Sequence, residues 1–186
     1  MNCLSFSNNR AVIHSTSPED TRSLGFALGN YCYPGLTLML YGTLGMGKTL
    51  LTQGIGDALG CRRIKSPTFI ILAEHKGRLP MIHADLYRLD SPADTDSLDL
   101  ENYLEQGSLL VIEWAEHWKS APTENRWDVR IEPVNSEDTY ARQITIEAVG
   151  ETAGNELEKV IKAVKAEKKQ AQYEKNSSVN EDRVVE

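Results

Sequence analysis

The chain has 186 residues, 40% of them hydrophobic and 25% charged, the balance of one soluble domain with a sizeable core and room for a tail. A formal net charge of −7 argues against a strong nucleic-acid binder acting alone, because phosphate contacts need clustered Lys and Arg. Cys3, Cys32 and Cys61 are odd in number and far apart, which suits neither a disulfide framework nor a zinc site and fits thiols in a reducing compartment.

The opening MNCLSFSNNR has no basic segment followed by an apolar core, so it does not read as a secretory signal. No apolar run reaches the ~18 residues of a membrane span. The expected location is the cytoplasm, with no membrane partner. A helix is predicted from Pro18: Ser17 caps it, Glu19 and Asp20 favour its positive end, and Leu24, Ala27, Leu28 and Tyr31 recur at helical spacing. Pro34 and Gly35 stop it. Leu36 to Tyr41 is a short, almost wholly apolar run, as in a strand buried on both faces. A glycine-rich loop follows, then a helix ending at Gly60 that Gly54 and Gly56 weaken.

FIILAEH and LPMIHADLY predict an antiparallel hairpin around KGR, since no crossover helix fits between them. LDSPADTDSLDLENYLEQG predicts an acidic loop and one short helix. Ser108 to Trp114 is a second continuously apolar strand that ends in an acid. RWDVRIEPV and YARQITIEAV predict another antiparallel hairpin. After Gly150 the composition turns charged, with one narrow apolar stripe of Leu157, Val160, Ile161 and Val164. The expected division is a domain over 1–150 and a charged extension over 151–186. That extension is expected to be helical to about Tyr173 and disordered over its last ten or so residues; its helix caps the domain, contacts a partner or is merely solvated, the last being the default.

Gly42-Thr43-Leu44-Gly45-Met46-Gly47-Lys48-Thr49 matches G-x-x-x-x-G-K-[ST], a phosphate-binding P-loop, with a buried strand before it and a helix after it. The glycines let successive backbone N–H groups point inward as an anion nest, and the helix start adds its positive end. Lys48 is placed to bridge the β- and γ-phosphates, and the Thr49 hydroxyl to ligate Mg²⁺. The expected cofactors are ATP and Mg²⁺. The phosphate set is Thr43, Leu44, Gly45, Met46, Gly47, Lys48, Thr49 and Leu50.

P-loop proteins carry an acid at the end of a second buried strand, near the metal. Glu113 in LLVIE is either that acid, one methylene longer than the usual Asp, or an exposed glutamate that ends a strand. Trp114 either packs beside the site or closes the core. Asp85, after the hairpin's second strand, either orders the metal's water shell and the attacking water or holds a turn. Ser66, Pro67 and Thr68 in KSPTF form either a γ-phosphate-sensing loop or an ordinary connection. His83 and His117 are lone histidines, more in keeping with structural or surface roles than with ligation.

The succession LYGTLGMGKTLLTQG, KSPTFIILAEH, HADLYRL and LLVIEWAEHW resembles the TsaE (formerly YjeE) family over roughly residues 15 to 150. That family comprises small P-loop ATPases of bacterial tRNA N6-threonylcarbamoyladenosine (t6A) synthesis. The resemblance implies an α/β, P-loop NTPase-like three-layer fold: a mixed sheet with parallel core strands and antiparallel hairpins, flanked by helices. It implies a slow ATPase that works with TsaD and TsaB and meets tRNA only through that complex. Lys48, Asp85 and Glu113 carry over as catalytic residues, Thr49 and Glu113 as metal ligands, and Ser66, Thr68 and Trp114 as further nucleotide contacts. Adenine contacts would fall around Ser17 to Asp20 and Val129 to Glu132. Ala84 stands where the family often has a larger residue, and the tail is longer than the family core needs.

Three other readings remain. A small P-loop kinase would need an arginine-bearing lid, and Arg78, Arg88, Arg126, Arg130 and Arg142 are scattered. A GTPase would need N-K-x-D for guanine, which is absent. A sensing adaptor would bind ATP and not turn it over.

Overall fold

The computed structural model describes residues 1–62, 64–65, 71–89, 91–134 and 140–181. The first hairpin, β1 (Asn2–Ser7) and β2 (Arg10–Ser15), lies outside the sequence expectations. Its signal is the pair Asn8-Asn9 at φ 50° and 59°, the two left-handed positions that a tight two-residue hairpin turn requires.

Next come α1 (Pro18–Asn30), β3 (Thr37–Tyr41), α2 (Lys48–Ala58), β4 (Leu72–His75) and β5 (Met81–Asp85). The chain continues through α3 (Pro92–Asp96), α4 (Leu100–Glu105), β6 (Leu109–Glu113) and a 3₁₀ turn (Ala115–His117). It closes with β7 (Arg126–Pro133), β8 (Arg142–Val149) and α5 (Glu151–Glu181). The strands form one mixed sheet in the order β1-β2-β8-β7-β3-β6-β5-β4. β3 runs parallel to β6 and β7, and β5 runs parallel to β6. The β4–β5 and β7–β8 pairs are the expected antiparallel hairpins.

The central strands bury both faces. On β6, Leu109 and Val111 enter the core under α1, α2 and α5, while Leu110 and Ile112 enter a smaller core with Leu100 of α4 and Trp118. This is why LLVI has no polar alternation. Helices on both faces complete the three layers.

α1 starts where expected: the Ser17 hydroxyl accepts from the Asp20 N–H at 3.1 Å. The glycines that weaken α2 have a packing reason. A Cβ on Gly54 would lie 2.0 Å from the Arg22 carbonyl oxygen, and one on Gly25 would lie 2.1 Å from that of Leu51. The two helices therefore touch backbone to backbone, which fixes α2 and the loop it carries.

Two expectations need correction. The acidic stretch holds two short helices, not one, because Ser91 and Asp94 form a reciprocal capping box that starts α3 before α4. The extension after Gly150 is not simply solvated. Ala153, Leu157, Val160, Ile161 and Val164 are buried in the larger core, and the buried Trp127 of β7 donates its indole N–H to the Ala153 carbonyl at 2.9 Å. The helix also runs past Tyr173 to Glu181. The first turns of α5 complete the domain; they are not an appendage.

Candidate functional site

β3 ends at Tyr41, and the chain turns through Gly42–Gly47 into α2. Gly42 has φ 139°, and a Cβ there would sit 2.6 Å from the Ile131 carbonyl oxygen, so only glycine lets the loop lie this close to β7. Gly47 caps α2 in the left-handed conformation at φ 103°. The first N–H groups of α2 have no partner inside the helix and lie at the loop's concavity, which makes an anion cradle of backbone donors.

Lys48 opens α2 with its side chain folded back over the loop. Its ammonium donates to the carbonyl oxygens of Gly42 and Thr43, the latter at 3.1 Å, and lies 3.9 Å from the centre of the Trp114 ring. Burial pushes the Lys48 pKa below its ordinary value, while the carboxylates of Glu113, Glu116 and Asp85 pull it back up. Trp114 holds a left-handed backbone at φ 58°, uncommon for a bulky residue, and its ring also packs on Tyr87 at 4.7 Å. Of its two sequence roles, the structure gives Trp114 the place beside the site.

Glu113 ends β6 and pairs in register with Leu40 of β3 and Asp85 of β5. Only 3% exposed, its carboxylate faces three polar side chains. The Thr49 hydroxyl lies 3.0 Å from Oε2, the Thr52 hydroxyl 3.5 Å from Oε1, and His83 Nε2 2.8 Å from Oε1. Thr52 also donates to the Lys48 carbonyl at 3.0 Å, tying the carboxylate to the first turn of α2. Of the two sequence roles of Asp85, the structure shows the turn. Its Oδ1 accepts from the Tyr87 N–H at 3.1 Å, holding a turn, and it lines the same cleft as Glu113.

That cleft has a volume of about 390 Å³. The segment Leu44–Leu50 forms one side, and Asp85, Tyr87, Glu113 and Trp114 form the other. The structure thus brings together Leu44, Gly45, Met46, Gly47, Lys48, Thr49, Leu50, Asp85, Glu113 and Trp114. Thr43 borders an adjoining hollow of about 670 Å³, lined on its far side by Arg130 to Val134 and Gln143. Pro18 and Thr21 line a third hollow of about 230 Å³ with Gly45–Gly47, Leu50, Tyr140 and Arg142. The two regions expected around adenine therefore open onto different hollows. Ser66, Pro67 and Thr68 lie outside the described residues. His117 is structural, its Nδ1 bonded to the Leu89 carbonyl.

The sequence reading missed His83, Tyr87, Tyr140 and Arg142. His83 precedes Asp85 by two residues on β5, the strand periodicity that puts side chains on one side, while Tyr87 lies in the turn that follows the strand. Tyr140 and Arg142 open a strand whose start lies opposite the loop, a relation no local pattern carries.

The family described as "Threonylcarbamoyl adenosine biosynthesis protein TsaE" matches residues 15–144. The chain belongs to the TsaE family. A Mycobacterium tuberculosis protein named tRNA threonylcarbamoyladenosine biosynthesis protein TsaE is 39% identical over 132 residues, covering 65% of this chain and 78% of that one. A Bacillus subtilis protein of the same name is 33% identical over 138 residues, covering 73% and 84%. The crystal structure of Bacillus subtilis YdiB superposes with a TM-score of 0.69 at 29% identity, covering 86% of this chain and 99% of that one. Family membership sets α5 in relief, since the matched stretch ends at residue 144 and the helix begins at Glu151. Among the described residues, no helix is long and apolar enough to cross a membrane.

Proposed function

We propose that this protein binds and hydrolyses ATP with Mg²⁺ in the glycine loop, as the ATPase of t6A synthesis acting with TsaD and TsaB in the cytoplasm. The observation that carries the reading is the meeting of Thr49 and Glu113, oxygen to oxygen at 3.0 Å, beside a cradle of backbone N–H groups. A hydroxyl and a carboxylate are the hard oxygen donors that Mg²⁺ takes, and the cradle's donors suit phosphate. When bound, Mg²⁺ neutralises phosphate charge and makes the γ-phosphorus easier to attack.

The chain's own residues do the rest. Lys48 exchanges the Gly42 and Thr43 carbonyls for phosphate oxygens and offsets charge as the β–γ bond breaks. Thr49 and Glu113 hold the metal side of the cleft. Asp85 orients the attacking water. Trp114 and Tyr87 wall the cleft and limit solvent. Among the described residues, no arginine lines the 390 Å³ cleft, so hydrolysis is slow until a partner supplies the missing positive charge. A net charge of −7 fits a protein that leaves tRNA to its partners.

The test is phosphate release from ATP, measured for the protein alone and with TsaD and TsaB. A rise on adding the partners, lost in Lys48→Ala together with nucleotide binding, supports the whole reading. Bound ATP with no release under any condition favours the sensing adaptor. Transfer of the phosphoryl group to an added acceptor favours the kinase.

A further inference from the structure

His83, on β5, is fully buried, and its ring nitrogens have unequal surroundings. Nε2 lies 2.8 Å from Glu113 Oε1, whereas Nδ1 is buried with no hydrogen-bond partner among the described residues. A neutral imidazole carries one proton. On Nδ1 that proton would be orphaned, and the Nε2 lone pair would face a carboxylate lone pair. On Nε2 it makes a charge-assisted bond to Glu113. The nearest ring, His75 on β4, lies 6.3 Å away, and its own Nε2 is likewise unpartnered, so it offers His83 no competing bond.

The consequence falls on Glu113. The terminal torsion of a glutamate is broad and nearly two-fold, so its packing alone does not choose which oxygen faces the cleft. His83 and Thr52 engage Oε1 from the protein side, and Oε2 is left toward Thr49. Outer residues of this kind set the orientation of a metal ligand.

We propose that His83 is a positioning residue that donates from Nε2–H to Glu113 and thereby fixes the carboxylate for a divalent cation at Thr49 and Glu113. The inference rests on the proposed metal role of Glu113. Two measurements test it, and the first is independent of that role. Long-range ¹H–¹⁵N correlation on the wild-type protein should show a proton on His83 Nε2; a proton on Nδ1 with none on Nε2 overturns the proposal.

The second uses ADP affinity with and without Mg²⁺ in His83→Gln, His83→Asn and His83→Phe. The Gln amide nitrogen reaches the place of Nε2, the Asn amide only that of Nδ1, and Phe fills the volume without a donor. All variants should bind ADP alike without Mg²⁺. The tightening that Mg²⁺ gives the wild type should survive in the Gln variant and fall by about 10- to 100-fold in the Asn and Phe variants. Full Mg²⁺ tightening in Asn or Phe, or none in the wild type, overturns the proposal. If Phe does not fold, as far-ultraviolet dichroism would show, the Gln and Asn pair decides. If the wild type binds no ADP at all, the proposed function falls, and the tautomer still decides whether His83 holds Glu113.

Discussion

On the β5–β6 side of the loop, Glu113 is 3% exposed and its carboxylate meets donors from Thr49, Thr52 and His83. On the β7–β8 side, Arg130, Glu132 and Val134 stand exposed around a hollow of about 670 Å³, and Arg130 rests on the Tyr41 ring at 4.4 Å. The two walls share the loop and Trp114 and little else. The difference shows where geometry has to be held. Polar groups in a low-dielectric wall are strong only when their partners are in place, so the wall that holds a fixed carboxylate is buried and engages both of that carboxylate's oxygens. A wall in contact with water leaves its side chains free to rearrange.

The largest contrast between the walls should appear in catalysis. Glu113→Ala is expected to cut partner-stimulated phosphate release by on the order of 10²-fold or more with ADP still bound, as for a group acting on the reacting centre. Glu132→Ala, on the open wall, should change it by less than about twofold, as surface substitutions do. Equal losses would mean that the walls do not differ in the way their burial suggests.

Stability should show a smaller contrast. Thr52→Val keeps the volume and removes a hydroxyl that bonds both the Lys48 carbonyl and Glu113. Its cost should be about 1–3 kcal/mol by urea denaturation, because it leaves a buried carboxylate short of a donor. Gln143→Ala should stay within about 0.5 kcal/mol.

The smallest effect is in pH. Lys48 has its pKa lowered below 10.5, chiefly by burial. A lowered pKa on a cation means that the folded state binds fewer protons than the unfolded one between the two values, so stability rises with pH there. Phosphate binding needs the charged form, so ADP affinity falls across the same interval. Calorimetric titration and denaturation in the pH interval just below 10.5 should therefore give slopes of opposite sign, a pattern lost in Lys48→Ala.

Legibility in the sequence followed the range of the interaction. The glycine loop, Glu113 and the two later hairpins were readable because spacing or a continuous apolar run carries each one locally. Trp114 and Asp85 were readable as positions but not as roles, since each role depends on what lies across the cleft. His83 was readable as structural, but its contact with Glu113 was not, for the same reason. A lone histidine in an apolar strand looks like core until its partner, thirty residues away in sequence, is placed beside it. Gly54 looked like a helix weakness because its benefit lies on the other helix, against the Arg22 carbonyl. The first hairpin was missed because its turn is two asparagines with no glycine.

The bond from Trp127 to Ala153 spans 26 residues and joins a central strand to the last helix. A ribosome delivers the sheet before it delivers that helix. Until α5 emerges, the face of β7 and β8 that it covers stays bare, and Trp127 waits without an acceptor. Completion of the core is thus a late event in the life of each molecule. A protein shortened to end at Gly150, just before α5, would carry that exposed surface permanently.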